Sequence, residues 1–234
     1  MALTGISCYY PEPPKRINNI RYICNQGEES GNKGIIFTTD RLYSGYKRKF
    51  MLEGENEIEF AKDLAEALAN TWLFDDNYDG INDESPYRWN DFYPVERKDD
   101  YCMYILGDSS NGYEFINDIK RTGKGIDFMI IDAHGEQFRI GEKHTEYINS
   151  QDLFQQKIEN PHIGGYFNED ASILITGCYT GMRPTSTSVS FAGALANLID
   201  TPVIASRGKV KKPMNEEIYH LYYAGNFEII FPTD

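Results

Sequence analysis

Cysteine is scarce in this chain, basic charge is outnumbered, and long apolar runs are missing. The four cysteines, Cys8, Cys24, Cys102 and Cys178, include no CxxC pair and no Cys/His spacing of a zinc site. A disulfide framework is not expected at that density. Cys24 and Cys102 lie in strand-like runs (IRYIC and YCMYIL) and are read as core residues, since unreactive cysteine is usually buried. No run reaches the length of a membrane-crossing helix. The opening MALTGISCYYPEPPKR lacks the charged start and apolar stretch of a signal peptide. A soluble, cytoplasmic protein is therefore expected, or an extracellular one if Met1 is not the natural start. Asp and Glu number 36 against 23 Lys and Arg, a net charge of −13. That balance argues against nucleic acid or an anionic membrane as partner, because both attract basic patches. It is compatible with cation binding.

The 234 residues and 41% apolar content suit one α/β domain with a sizeable core. Strands are predicted near 20–24 and 34–39, over 101–106, 126–135 and 172–177, and over 202–206 and 227–231. Helices are predicted over 56–74, 112–120, 150–158, 189–199 and 214–223. The longest of these repeats Ile58, Ala61, Leu64, Ala65, Leu68 and Trp72 at helical spacing. The segment DRLYSGYKRKF is left unassigned, and EQFRIG is read as a short hairpin arm. Strands alternating with helices imply a mostly parallel sheet with helices on both faces. One domain, 1–234, is expected. Its N-terminal portion, 1–100, carries an acidic loop over 75–86.

Two apolar runs carry the chemistry. IDFMIIDAHG ends in His134 and Gly135, and ASILITGCYTG carries Cys178. Both read as buried parallel strands. The carboxyl ends of such strands are where open α/β sheets bind ligands. A thiol and an imidazole at that edge are the parts of a nucleophile and its proton-transfer partner. Gly135 leaves its N–H open to a substrate oxygen, and Gly177 permits the bend that exposes the thiol. Asp132 is read as a solvated or capping aspartate, with help in orienting the imidazole as the alternative.

HG after one apolar strand, C-x-x-G after another, then a helix and a strand, resembles the clan CD cysteine peptidases. These include caspases, gingipains, clostripain, separase, the CHAT proteases and the self-processing domains of large bacterial toxins. The resemblance covers roughly Tyr101 to Ser206 and is nearest the bacterial members. It implies a caspase-like fold and a cysteine endopeptidase acting on a protein or peptide. Cys178 would attack the scissile carbonyl and His134 would protonate the leaving amine. The backbone N–H groups of Gly135 and Cys178 would form the oxyanion hole. Thr176, Ser206 and Arg207 are the candidate substrate-binding residues. An arginine after the strand PVIAS would suit an acidic P1 side chain; a surface arginine in the patch RGKVKK is the other reading. Two features depart from the family. The segment after Cys178 is too short for a caspase-type cleavable linker. Thr176-Gly177 also stands where clostripain-like enzymes carry an acidic residue.

The acidic loop DDNYDGINDE places Asp75, Asn77 and Asp79 at positions 1, 3 and 5 of a calcium loop, with Gly80 at the sharp turn. The Ile81 carbonyl and Asp83 fall at positions 7 and 9. The preceding helix stands where an EF-hand has its entering helix. Position 12 is Pro86 and not Glu, so a single calcium-type loop is expected and not a full EF-hand. Bound Ca2+ is the one cofactor expected. Two other functions fit the same residues: an inactive calcium-binding interaction module on this fold, and another Cys/His α/β enzyme such as an acyltransferase or deamidase. Nothing in the sequence specifies an oligomeric state.

Overall fold

Apolar side chains in the central strands alternate between the two faces of the sheet, and each face builds its own core. The computed structural model describes residues 22–26, 31–75, 87–88, 99–107, 110–142, 145–182, 189–211 and 221–233. The N-terminal third contains β1 (Tyr22–Asn25), β2 (Lys33–Thr39), α1 (Asp40–Phe50), α2 (Glu57–Ala69), β3 (Trp72–Asp75) and β4 (Tyr87–Arg88). β5 (Asp100–Leu106), α3 (Gly112–Thr122) and β6 (Ile126–Asp132) follow. Next come β7 (His134–Glu136), β8 (Arg139–Glu142), β9 (Thr145–Asn149) and α4 (Ser150–Glu159). A 3₁₀ turn at Ile163–Tyr166 leads into β10 (Phe167–Ile175). The chain ends with α5 (Phe191–Ile199), β11 (Val203–Ser206), β12 (Tyr222–Gly225) and β13 (Phe227–Ile230).

The main sheet has seven strands in the order β1-β5-β2-β6-β10-β11-β13. Its five inner strands run parallel, and β1 and β13 close the edges antiparallel. On one face Ile35, Met129 and Ile173 pack with Phe115 of α3, Leu153 of α4 and Leu195 of α5. On the other, Ile36, Ile130 and Leu174 pack with Tyr46 of α1 and Leu64 of α2. The expected α/β architecture, a mostly parallel sheet with helices on both faces, is what the chain adopts. β2 lies between β5 and β6, so the N-terminal portion is integral to the sheet. Two three-stranded sheets, β12-β3-β4 and β7-β8-β9, are added at the periphery. Among the described residues no helix is long and apolar enough to cross a membrane.

Four local expectations are corrected. The helix predicted to Phe74 stops at Ala69, and Trp72–Asp75 becomes β3 because β12 offers it a parallel partner, Trp72 opposite Tyr222. The C-terminal residues of the predicted helix 214–223 likewise belong to β12, while 212–220 lie outside the described residues. The unassigned segment 40–50 is helix α1, begun by the Thr39 hydroxyl accepting from the Leu42 N–H. Cys24 and Cys102 are buried as expected but joined as a disulfide, because antiparallel β1 sets them directly opposite each other. The bridge ties the edge strand to the sheet. Replacing both cysteines by alanine should lower stability by about 2–4 kcal/mol. Urea unfolding measures the loss, and non-reducing peptide mapping should recover the two native cysteines as one linked pair.

Candidate active site

β6 and β10 are neighbours, and Ile131 lies opposite Ile175. The Thr176 N–H donates to the Ile131 carbonyl at 3.0 Å, carrying the ladder one step further. Three residues beyond that paired level stand His134, which opens β7 just past β6, and Cys178, in the turn just past β10. Parallel pairing therefore sets the two residues level at the carboxyl edge of the sheet. His134 is exposed and Cys178 half-buried.

The two loops touch through glycine. A Cβ on Gly135 would lie 2.5 Å from Thr180 Cγ2, 2.9 Å from the Cys178 carbonyl oxygen and 3.0 Å from Gly177 Cα. A Cβ on Gly177 would lie 3.2 Å from Gly135 Cα. Close approach of two backbones, and not only access for a substrate, is thus what both glycines permit. Gly135 pairs with Ile140, one step back from the two-residue turn joining β7 to β8. At that position of an antiparallel ladder the N–H points away from the partner strand.

The thiol is embraced by a second segment. The Val210 N–H donates to Cys178 Sγ at 3.2 Å, and Sγ lies 3.8 Å from the Val210 carbonyl oxygen. The Gly208 carbonyl accepts from the Tyr179 N–H at 2.7 Å, and the Ser206 carbonyl accepts from the Gly181 N–H at 2.9 Å. Tyr179, next to the thiol, is held in the left-handed region at φ 59°. A tyrosine there is strained by about 1–3 kcal/mol, and such strain concentrates at functional sites. The next segment, Lys211, bridges Ala224 through a pair of 2.8 Å backbone hydrogen bonds.

Asp132 departs from its expected role. It is fully buried and not solvated. Its Oδ1 accepts from Thr176 Oγ1 at 2.8 Å and from the Tyr223 hydroxyl at 2.9 Å. Its Oδ2 accepts from the Tyr46 hydroxyl at 3.0 Å and faces Thr38 Oγ1 at 3.5 Å. The two tyrosine oxygens lie 3.2 Å apart. Burial, and then the Asp132 charge, push both phenols well above their ordinary range.

The other candidate residues fall less favourably. Thr176 and Ser206 are buried, Thr176 against Asp132 and Ser206 against the Gly208 backbone, so their side chains hold loops and do not line an open pocket. The Arg207 guanidinium is half-buried and ion-paired with Glu228 across the β11–β13 edge; it is neither a free surface arginine nor an open anion site. Asn77, Asp79, Ile81 and Asp83 lie outside the described residues, and Asp75 closes β3. The acidic loop is thus entered from a strand and not from the helix an EF-hand would need. Among the described residues no group of three or more His, Cys, Asp or Glu is arranged to hold a metal.

Beside the thiol and imidazole loops lies a cleft of about 500 Å³, lined by Glu136, Phe138, Arg139, Tyr179 and Met182 among others. Arg139 grips Glu136 through two 3.0 Å hydrogen bonds, which hold the Glu136 carboxyl below its usual range. Phe138 and Met182 are exposed at its rim. Sequence reasoning missed Tyr46, Tyr223 and Val210. They reach the site from 86, 91 and 32 residues away, and no local spacing marks them.

An α/β protein with a thiol and an imidazole just beyond the carboxyl ends of adjacent parallel strands is what the fold and site define. A family model described as a domain of unknown function (DUF8616) matches residues 103–219, and the chain belongs to that family. No curated protein and no solved structure matches it.

Gly135→Ala should cost about 1–3 kcal/mol, since the added Cβ meets the buried Thr180 Cγ2 and also the Cys178 and Gly177 backbone of the opposite loop, which cannot swing aside. Urea unfolding measures it. The raised phenols give a second expectation. The stability they contribute is complete below the unfolded tyrosine value, about pH 10, and is lost as pH climbs from there toward the folded values. Replacing Tyr46 and Tyr223 together by phenylalanine should therefore flatten the fall of the urea midpoint above about pH 9–10.

Proposed function

We propose that the protein is a caspase-like cysteine endopeptidase using Cys178 and His134. The observation that carries this reading is the equal offset of the two residues from the Ile131–Ile175 pair, with their loops in glycine contact. The sulfur attacks the scissile carbonyl carbon, its proton passing to His134. The carbonyl oxygen becomes the oxyanion, facing the Gly135 and Cys178 N–H groups. The C–N bond then breaks, and the imidazolium returns its proton to the leaving amine. Water, deprotonated by His134, attacks the thioester and releases the new carboxyl terminus with the thiol restored.

The N–H orientation at Gly135 supports the oxyanion role, and the left-handed Tyr179 supports a strained nucleophile loop. The cleft beside the dyad supports a peptide substrate. Phe138, Tyr179 and Met182 give it apolar walls, and the Glu136–Arg139 pair neutralises its charge. The Arg207–Glu228 pair weakens the case for an acidic P1 residue. Val210 must yield before a substrate carbonyl reaches the sulfur. A calcium requirement rests on the spacing of Asp75, Asn77, Asp79, Ile81 and Asp83 alone.

The test is cleavage of a denatured mixed proteome with and without millimolar calcium, with new N-termini read by mass spectrometry. Wild type should generate termini that Cys178→Ala reduces about 10³-fold or more. His134→Ala should reduce them by about 10²–10⁴-fold. Termini that persist in Cys178→Ala would overturn the dyad. Absence of termini with wild type, calcium present, would favour the interaction-module reading.

A further inference from the structure

Asp132 stands where the core asks for an apolar side chain. Phe128, Ile130 and Asp132 share one face of β6, and the first two are fully buried among aliphatic and aromatic neighbours. A carboxylate there loses its hydration and needs hydrogen bonds to be tolerated. Apolar packing at such a site is often as stable or more so, which leaves specificity of arrangement as the reason to keep the acid.

The partners show what is being arranged. Four hydroxyls reach the carboxylate, from Thr38 at the end of β2, Tyr46 of α1, Thr176 just past β10 and Tyr223 of β12. Thr176 joins β10 to β6 twice, through its N–H to the Ile131 carbonyl and its hydroxyl to Asp132. Asp132 lies two residues before His134, and Thr176 two before Cys178. A second route leaves through Tyr223. Its neighbour Ala224 is bridged to Lys211, and the adjoining Val210 holds the Cys178 sulfur. The carboxylate thus reaches the nucleophile loop both from below, through Thr176, and from the side, through β12.

We propose that Asp132 is the positioning residue of the dyad, acting through Thr176 and Tyr223 to hold the ends of β6 and β10 in the register that sets Cys178 beside His134. It touches no substrate and exchanges no proton in the reaction. This inference rests on the peptidase reading for its kinetic readout, and on the geometry alone for its chemical one.

The experiment compares Asp132→Asn, Thr176→Val, Thr176→Ser and Tyr223→Phe with the parent chain. Three quantities are measured: kcat and KM on a protein substrate, the rate of Cys178 alkylation by iodoacetamide, and the melting temperature. Displacement of reacting groups by about 1 Å costs up to about 10²-fold in rate. Asp132→Asn and Thr176→Val should therefore lower kcat by about 10–10²-fold with KM within about twofold of the parent. Their Cys178 alkylation rates should depart from the parent's by about fivefold or more under conditions where each variant is folded. Thr176→Ser keeps the hydroxyl and should recover both quantities. If Asp132→Asn does not fold, the Thr176 pair and Tyr223→Phe decide the matter.

Folded variants with lowered melting temperature but parental kcat and parental alkylation rate would reduce Asp132 to a structural residue and overturn the proposal. So would failure of Thr176→Ser to recover either quantity. If the parent cleaves nothing, the peptidase reading fails separately. The alkylation series then still decides whether Asp132 governs the thiol.

Discussion

Ile131 of β6 lies opposite Ile175 of β10, and His134 and Cys178 each stand three residues further along the chain. Most of the site depends on that pairing. Side chains alternate with a period of two along a strand, so a slip of one residue would turn Asp132 out of its polar pocket and drive Met129 or Ile131 into the wrong core. Both faces of the sheet are filled by large side chains, which makes such a slip costly on each face at once. The glycine contact above the ladder adds a steric condition. Gly135 and Gly177 can approach only when the strands end level.

Above the last apolar residues the molecule changes from packing to hydrogen bonding. Thr38, Asp132 and Thr176 stand at the ends of three neighbouring parallel strands, all buried, and close the sheet with a polar layer. Tyr46 and Tyr223 cap that layer with rings that belong to the apolar core and hydroxyls that belong to the carboxylate. Such amphipathic side chains let an acid be buried without an apolar cavity around it. The layer separates the core from the loops that bear His134 and Cys178.

The family match begins in β5 and covers β6, β10, β11, His134 and Cys178. Three partners of Asp132, namely Thr38, Tyr46 and Tyr223, come from outside the matched span. The carboxylate therefore joins the matched segment to the flanking chain, and folding of the site requires both. The disulfide between β1 and β5 fastens the same flanking portion at one edge of the sheet.

Much of this was legible in the amino-acid order. Strand runs, the helices α3, α4 and α5, the mostly parallel sheet and the placement of His134 and Cys178 at strand ends follow from apolar periodicity and from where glycine interrupts it. These signals are local, and local propensity acts within a few residues. The end of α2, the strands β3 and β12, the Cys24–Cys102 bond, the Val210 contact and the tyrosines around Asp132 were not legible. Each depends on a partner distant in sequence. Trp72–Asp75 is strand because Tyr222–Gly225 lies beside it, and Asp132 is buried because hydroxyls arrive from α1 and β12. The sequence by itself determined that a thiol and an imidazole stand at the carboxyl ends of two apolar strands. Only the tertiary structure decided what surrounds them, because a buried polar group is satisfied by whichever donors the packed elements bring to it, and no spacing along one strand encodes that.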